Sequence, residues 1–307
     1  MLTIQYIKHR DIDKVKWDDK INACTNGFIY SHSFFLDAMC EWDALIMGEY
    51  EYLMPLPYRK KAGFGYVYTP FFTGQLGITG PGEIADHISR QFISAIPANF
   101  SLVDLQFNEC NRVSGSPKIK ITERVNYVIP LNNSYEAIAS GFNKDAKKNI
   151  RQAAGFGLSI INNIDIAVVF EFYKKAYAHL NPGITADDYR CFYNACVKAL
   201  ALGKGFVAGI KNPEDELVAA AFFAIDNKRI YYLLGAPSAK GKAMNASHFL
   251  INEIIKQYAG NNIIFDFEGS DIPSVANFYK KFGPQKKIYR HIIINRLPFW
   301  IRWIKNR

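Results

Sequence analysis

Cysteine is scarce in this chain of 307 residues: Cys24, Cys40, Cys110, Cys191 and Cys196 are an odd set with no C-x-x-C spacing. That argues against a disulfide scaffold or a thiolate metal site and fits the reduced core thiols of a cytosolic protein. Histidine is as thin. His9, His32, His87, His179, His248 and His291 form no H-x-x-x-H pair and no cluster with cysteine, so no metal is expected. A G-x-S-x-G elbow, a P-loop and a G-x-G-x-x-G after a strand are all missing, which removes the usual support for hydrolase, NTPase and dinucleotide chemistry. No apolar run reaches the roughly 18 residues that a membrane-spanning helix needs. The opening MLTIQYIKHRDIDK turns charged after seven residues, so no signal peptide is expected and the protein is placed in the cytoplasm.

What is abundant is apolar and aromatic bulk. Hydrophobic residues make up 49 % and aromatics 15 %, enough for buried cores with rings left over to line a pocket. The formal charge of +9 biases the surface toward anionic partners, such as an anionic small molecule, a nucleotide-linked substrate, tRNA or acidic lipid headgroups, without choosing among them.

Periodicity and turn residues predict an α/β chain with mixed sheets. The first segment is expected to hold helices at Asp18–Ala23, Phe34–Cys40 and Glu83–Ile96, and strands at Ala44–Met47, Glu51–Tyr58, Gly65–Tyr68 and Ser101–Phe107. Lys118–Ile121 and Arg124–Pro130 read as a closing hairpin. The second segment is expected to open with a helix over Ser134–Ala154, loosened at Gly141, and to carry a meander of Gly205–Lys211, Leu217–Ile225 and Arg229–Leu234 before a helix at Asn245–Tyr258. Each half runs through helices, a meander, a Gly/Pro loop, a helix and a strand ending in an acidic residue. ISAIPANFSLVDLQFNE (Ile93–Glu109) thus parallels IIKQYAGNNIIFDFEGS (Ile254–Ser270). This order predicts a duplication, with domains at 1–130 and 131–295 and a tail at 296–307.

The most informative stretch is IIFDFEGSDIPSVANFYKKFG, Ile263–Gly283. Its alternation predicts a strand with Asp266 and Glu268 on one face. Gly269 to Asp271 break it, and Pro273 opens a helix on which Val275, Phe278, Tyr279 and Phe282 fall at helical spacing. Two carboxylates at a strand end therefore meet a helix bearing a phenol and two lysines. Glu268 or Asp266 is the candidate to take a proton from an amine. Tyr279 or Lys280 is the candidate to protonate or stabilise a leaving oxygen or sulfur. The competing reading makes the carboxylates a cap or an ion pair with Lys280 or Lys281.

The stretch Ser238-Ala239-Lys240-Gly241-Lys242-Ala243 joins a strand to a helix. Such a loop can aim backbone N–H groups at a phosphate, with Lys240 and Lys242 beside it and backbone N–H groups near Leu234–Gly235 free to polarise a carbonyl. It also reads as a solvated lysine turn. Lys144, Lys147, Lys148 and Arg151 fall at i, i+3, i+4 and i+7, a stripe that either binds a polyanion or is a solvated face. In the loop TPFFTGQLGITGPG, Phe71, Phe72 and Gln75 are candidates to line a substrate pocket. The tail interleaves Phe299, Trp300, Trp303 and Ile304 with Arg302, Lys305 and Arg307. As a helix, residues 298–307 either anchor peripherally at a membrane surface, such as the inner membrane, or dock on the core.

Strand, small-residue loop, helix, acidic strand and a helix bearing NFYKKFG, in that order, resemble the acyl-binding half of the GNAT acyltransferase fold. The resemblance implies a loop of form Q/R-x-x-G-x-G/A holding the pyrophosphate of acyl-coenzyme A. Here S-A-K-G-K-A keeps the glycine and the alanine and places Ser238 first. It also implies Tyr279 as general acid. The duplication, the basic KDAKKNIRQAAGFG and the late FYKKFG resemble more closely the Fem-type peptidyltransferases, which pair two GNAT-like domains and move an amino acid from aminoacyl-tRNA onto a peptidoglycan precursor. In that family a lysine after an aromatic in the late helix assists transfer, and Lys280 after Tyr279 matches it. The helical arm that many such proteins use beside tRNA has no counterpart here. What the resemblance implies is two tandem GNAT-like domains, with mostly antiparallel sheets flanked by helices, the first degenerate and on the acceptor side. It further implies N-acyl transfer to an amine, with acyl-coenzyme A or aminoacyl-tRNA as co-substrate and no tightly bound cofactor. A reading from another class stays open, a non-catalytic module binding anionic polymer or a membrane surface.

Overall fold

The computed structural model describes residues 3–61, 63–269 and 273–298. The chain forms two units: one runs to Arg124 and takes back the chain from Ile288, and the other is Val125–Lys287. The division thus falls a few residues before Pro130, and the last strand returns to the first unit.

In chain order the elements are β1 (Ile4–Ile7), α1 (Lys14–Ala23), α2 (Ser33–Met39), β2 (Glu41–Met47), β3 (Tyr52–Lys61), β4 (Phe64–Tyr68), α3 (Asp86–Ala95), β5 (Phe100–Gln106) and β6 (Lys120–Pro130). Then follow α4 (Tyr135–Ser140), α5 (Lys144–Gly155), β7 (Ser159–Ile161), α6 (Ile166–Tyr177), α7 (Ala186–Ala201), β8 (Gly205–Lys211), β9 (Leu217–Ile225), β10 (Arg229–Pro237), α8 (Ala239–Ala243), α9 (Ala246–Tyr258), β11 (Ile264–Asp266), α10 (Pro273–Lys280) and β12 (Gln285–Asn295). Local chemistry sets many of these limits. Thr185 and Asp188 form a capping box at α7, and Asn143 caps α5 by accepting the Ala146 N–H. The expected hairpin at Lys118–Pro130 is instead the single strand β6. Polar Glu123 and Arg124 interrupt its apolar pattern without interrupting its backbone.

The first unit orders its strands β1-β2-β3-β4-β5-β12, antiparallel except for the parallel β4–β5 pair. The second orders them β7-β8-β9-β10-β11-β6, antiparallel except for β10–β11. The two sheets have the same plan: a four-strand meander, one parallel neighbour, and one antiparallel strand to finish. β9, LVAAAFFAI, is buried along nearly its whole length, as befits a central strand. On the second sheet α9 packs against β8, β9 and β10, while α6 and α7 also lie on its strands.

The units differ where the parallel pair ends. In the first, the loop after β4 is stitched down. Leu76 N–H donates to Gln106 O (2.9 Å), Gln75 Oε1 accepts the Glu109 N–H (2.8 Å), and Asn26, Asn108 and Asn111 bond the Ile78–Gly82 stretch. Gln75, a candidate pocket residue, is therefore buried and engaged in holding this loop. Phe72 is half-buried in it, on a left-handed backbone (φ 61°).

Gly241 in α8 is buried, and a Cβ there would lie 1.9 Å from the Val218 carbonyl oxygen. The glycine is explained by this close approach to β9. Gly241→Ala should lower stability by about 1–3 kcal/mol, the usual cost of forcing atoms into a packed site. Urea unfolding of the variant beside the parent protein measures it.

Candidate active site

The strands β10 and β11 pair over Arg229↔Ile264, Ile230↔Phe265 and Tyr231↔Asp266, while β10 runs on to Pro237. Among the described residues they pair no further. On its other side β10 keeps bonding β9, with a bulge between Tyr232 and Leu234 that leaves Leu233 without a counterpart. The bulge also resets side-chain direction. On a regular strand Tyr232 and Gly235 would face opposite sides. Here the Tyr232 ring lies over Gly235, where a Cβ would meet Tyr232 Oη at 2.0 Å.

A cavity of about 750 Å³ occupies this gap. It is walled by Tyr232, Leu233 and Gly235 of β10, by Phe267, Glu268 and Gly269 after β11, and by Tyr173 and Tyr177 of α6. Phe278 and Tyr279 of α10, Lys281, Asn149 of α5, and Ser238, Lys242 and the stretch from Asn245 to His248 also line it.

The two strand-end carboxylates have separate jobs. Asp266 is fully buried, ion-paired with buried Arg229 and bonded by Asn126 Nδ2 at 3.1 Å. Offered by the sequence as the alternative proton acceptor, it is instead engaged with Arg229 and Asn126 and does not line the cavity. Its Oδ1 accepts the Glu268 N–H at 2.8 Å. That bond fixes Glu268 in the left-handed region (φ 64°), and Gly269 follows it there (φ 60°). A Cβ on Gly269 would sit 2.2 Å from Val125 O, so only glycine fits. The strand period is broken at Glu268, and this places Glu268, not Asp266, on the cavity wall.

Four phenols converge on the cavity. Burial pushes Tyr173 up to about 12, and it raises Tyr177, Tyr232 and Tyr279 as well; the charge of Glu268 adds to the rise at Tyr279. All four are protonated at neutral pH. The Tyr279 ring lies 4.8 Å from Phe267 and 6.3 Å from Tyr232. His248 is 8 % exposed and packs edge-on to Phe278 at 4.8 Å. Burial, then the charge of Lys281, lowers its pKa to about 4. Asn149 Nδ2 donates to His248 Nε2 at 3.1 Å, which puts the neutral ring's proton on Nδ1.

Other candidates are placed differently from the sequence expectation. Lys280 is exposed, with its ammonium 5.9 Å from the Tyr127 ring, and the cavity takes Lys281 instead. The Lys281 carbonyl is held by the Asn143 N–H at 2.9 Å. Leu234 is buried opposite Phe222, and the bulged Leu233 lines the cavity in its place. The expected loop at 238–243 is the short helix α8. Ser238 Oγ accepts the Gly241 N–H (3.0 Å) and Ser238 O accepts the Lys242 N–H (2.8 Å). Lys240 reaches away to Glu216 (2.8 Å) and Glu214 (3.1 Å), Ala243 is exposed, and Lys242 lines the cavity. Lys144, Lys147, Lys148 and Arg151 are all exposed on α5, with Lys147 Nζ donating to Ser140 O at 2.8 Å. The tail from residue 299 lies outside the described residues. Among them no helix is long and apolar enough to cross a membrane, and no three metal-ligating side chains gather.

A four-strand meander, a parallel neighbour and a finishing antiparallel strand, the plan of both units, make a tandem GNAT-like fold. Solved structures of similar fold include FemX (TM-score 0.68, 12 % identity, 96 % of this chain and 99 % of that one). They also include L-PGS from Bacillus licheniformis (0.53, 14 %, 95 % and 95 %) and a tandem GNAT protein from the clavulanic acid biosynthesis pathway (0.51, 9 %, 97 % and 99 %). No protein-family model and no curated protein sequence matches this chain.

Arg229→Met would leave Asp266 charged and buried without its partner and should cost about 3–5 kcal/mol in urea unfolding. The double variant with Asp266→Leu should recover much of that. For His248 the folded pKa lies below the ordinary 6.5, so the unfolded chain binds the extra proton first. Its contribution to stability is whole above pH 6.5 and falls away toward pH 4. Denaturation midpoints taken across that window should fall with pH, and His248→Gln should flatten the slope.

Proposed function

We propose that this chain is an N-acyltransferase that moves an acyl or aminoacyl group from an activated donor to an amine. The observation that carries the reading is one cavity, opened at the Leu233 bulge, that presents both a carboxylate (Glu268) and a buried, protonated phenol (Tyr279). The acceptor nitrogen attacks the donor carbonyl and gives its proton to Glu268. The peptide N–H at the bulge polarises the carbonyl oxygen as it gains charge. As the new C–N bond forms and the C–O or C–S bond breaks, Tyr279 hands its proton to the leaving atom. No covalent enzyme intermediate is needed.

Between donors, the geometry of α8 supports an aminoacyl ester over acyl-coenzyme A. Ser238 already engages the Gly241 and Lys242 N–H groups that a pyrophosphate would use, and Lys240 is taken by Glu214 and Glu216. The exposed stripe of Lys144, Lys147, Lys148 and Arg151 is suited to a polyanion such as tRNA. A cell-wall precursor amine is the acceptor this reading favours. The test offers labelled acyl-coenzyme A or labelled aminoacyl-tRNA with a panel of amines and counts labelled amide. Amide should form, with Glu268→Gln lowering kcat about 10²–10⁴-fold and Tyr279→Phe lowering it by at least about tenfold in folded protein. Absence of amide with every donor overturns the reading, and unchanged kcat in both variants removes these residues from it.

A further inference from the structure

The cavity has two electrostatic ends. At one, the first turn of α9 (Ala246, Ser247) lies with Lys242 and Lys281, and Lys281 acts on His248. At the other, Tyr173 and Tyr177 of α6 line the cavity together with Glu268. The Phe278 ring stands between the ends, 4.8 Å from His248 and 5.9 Å from Tyr279. The tyrosine end is built of two ring pairs on one cavity: Tyr173 lies 5.3 Å from Tyr177, and Tyr232 lies 6.3 Å from Tyr279.

We infer that the tyrosine end of the cavity binds a primary alkylammonium group, seated among the rings of Tyr173, Tyr177, Tyr232 and Tyr279 and beside the carboxylate of Glu268. Ring faces attract a cation through their quadrupole, and the attraction grows where water is excluded. The phenols cannot compete as anions, because burial keeps them protonated. The carboxylate of Glu268 acts in the same direction as the rings. The transferase reading bears only on which molecule brings the ammonium: the amine acceptor, or an aminoacyl donor through its own amino group.

The test reads binding, not turnover. n-Pentylammonium and the neutral, similarly shaped 1-pentanol are titrated into the full chain near pH 7 and followed by NMR or calorimetry. The ammonium should bind at least about tenfold tighter than the alcohol. Tyr177→Leu and Glu268→Gln should each weaken it by about tenfold, whereas Tyr177→Phe keeps the ring face and should change affinity less than about twofold. Equal binding of alcohol and ammonium, or a Tyr177→Phe loss as large as that of Tyr177→Leu, overturns the inference. Nα-acetyl-lysine amide carries the ammonium as an acceptor side chain does, and glycine ethyl ester carries it as an aminoacyl donor does. The tighter of the two identifies the source, and binding of neither overturns the inference. A chain that discriminates ammonium from alcohol but forms no amide keeps this inference and loses the transferase reading. An active enzyme without that discrimination does the reverse.

Discussion

The buried pair of Arg229 and Asp266 is the constraint on which the second unit's site depends. It spans the paired stretch of β10 and β11, with Arg229 at the first register and Asp266 at the last. Burying two opposite charges is costly unless their remaining hydrogen-bonding capacity is used. Asn126 and the Glu268 N–H use it on the Asp266 side. Between the two ions the strands are zipped. Beyond Asp266 they part, and the bond from the Glu268 N–H to Asp266 holds the backbone that turns Glu268 into the gap. Strand pairing, charge burial and placement of a reactive carboxylate are thus one arrangement.

The first unit gives the contrast. Its parallel pair, β4 and β5, occupies the same place in the same sheet plan, but the loop that follows is bonded across the end of the pair through Leu76, Gln75 and three buried asparagines. A repeated fold therefore carries two different endings. In one, amides and carbonyls close the fork. In the other, a bulge and two successive left-handed residues keep it open. This is why Gln75, in the aromatic loop at Thr69–Gly82 that is conspicuous in the sequence, is engaged in holding that fork closed.

Much of the element order was legible because periodicity is a local property. The α10 helix after Pro273 and the β8–β10 meander read directly from spacing. β1 is only four residues long and offers little pattern. The site was legible as a region but not in its details. Which carboxylate turns inward is decided by Arg229, 37 positions away in sequence. Whether Lys280 or Lys281 faces the cavity depends on where α10 ends and on the bond from Asn143. Tyr173, Tyr177 and His248 occupy ordinary positions on amphipathic helices, and only the fork in the sheet gives them something to face. The glycine of S-A-K-G-K-A looked like a phosphate-loop residue, since close approach to a backbone and close approach to a ligand call for the same residue type.

The finishing strand of each sheet is exchanged between the halves. β6, which follows the first meander in the chain, completes the second sheet, and β12, the last strand described, completes the first. During synthesis the first sheet must wait, with the edge of β5 uncovered, until the second unit and then β12 have left the ribosome. The dependence is one-sided: the second unit is continuous along the chain, whereas the first is completed only by a strand that returns after the whole of the second.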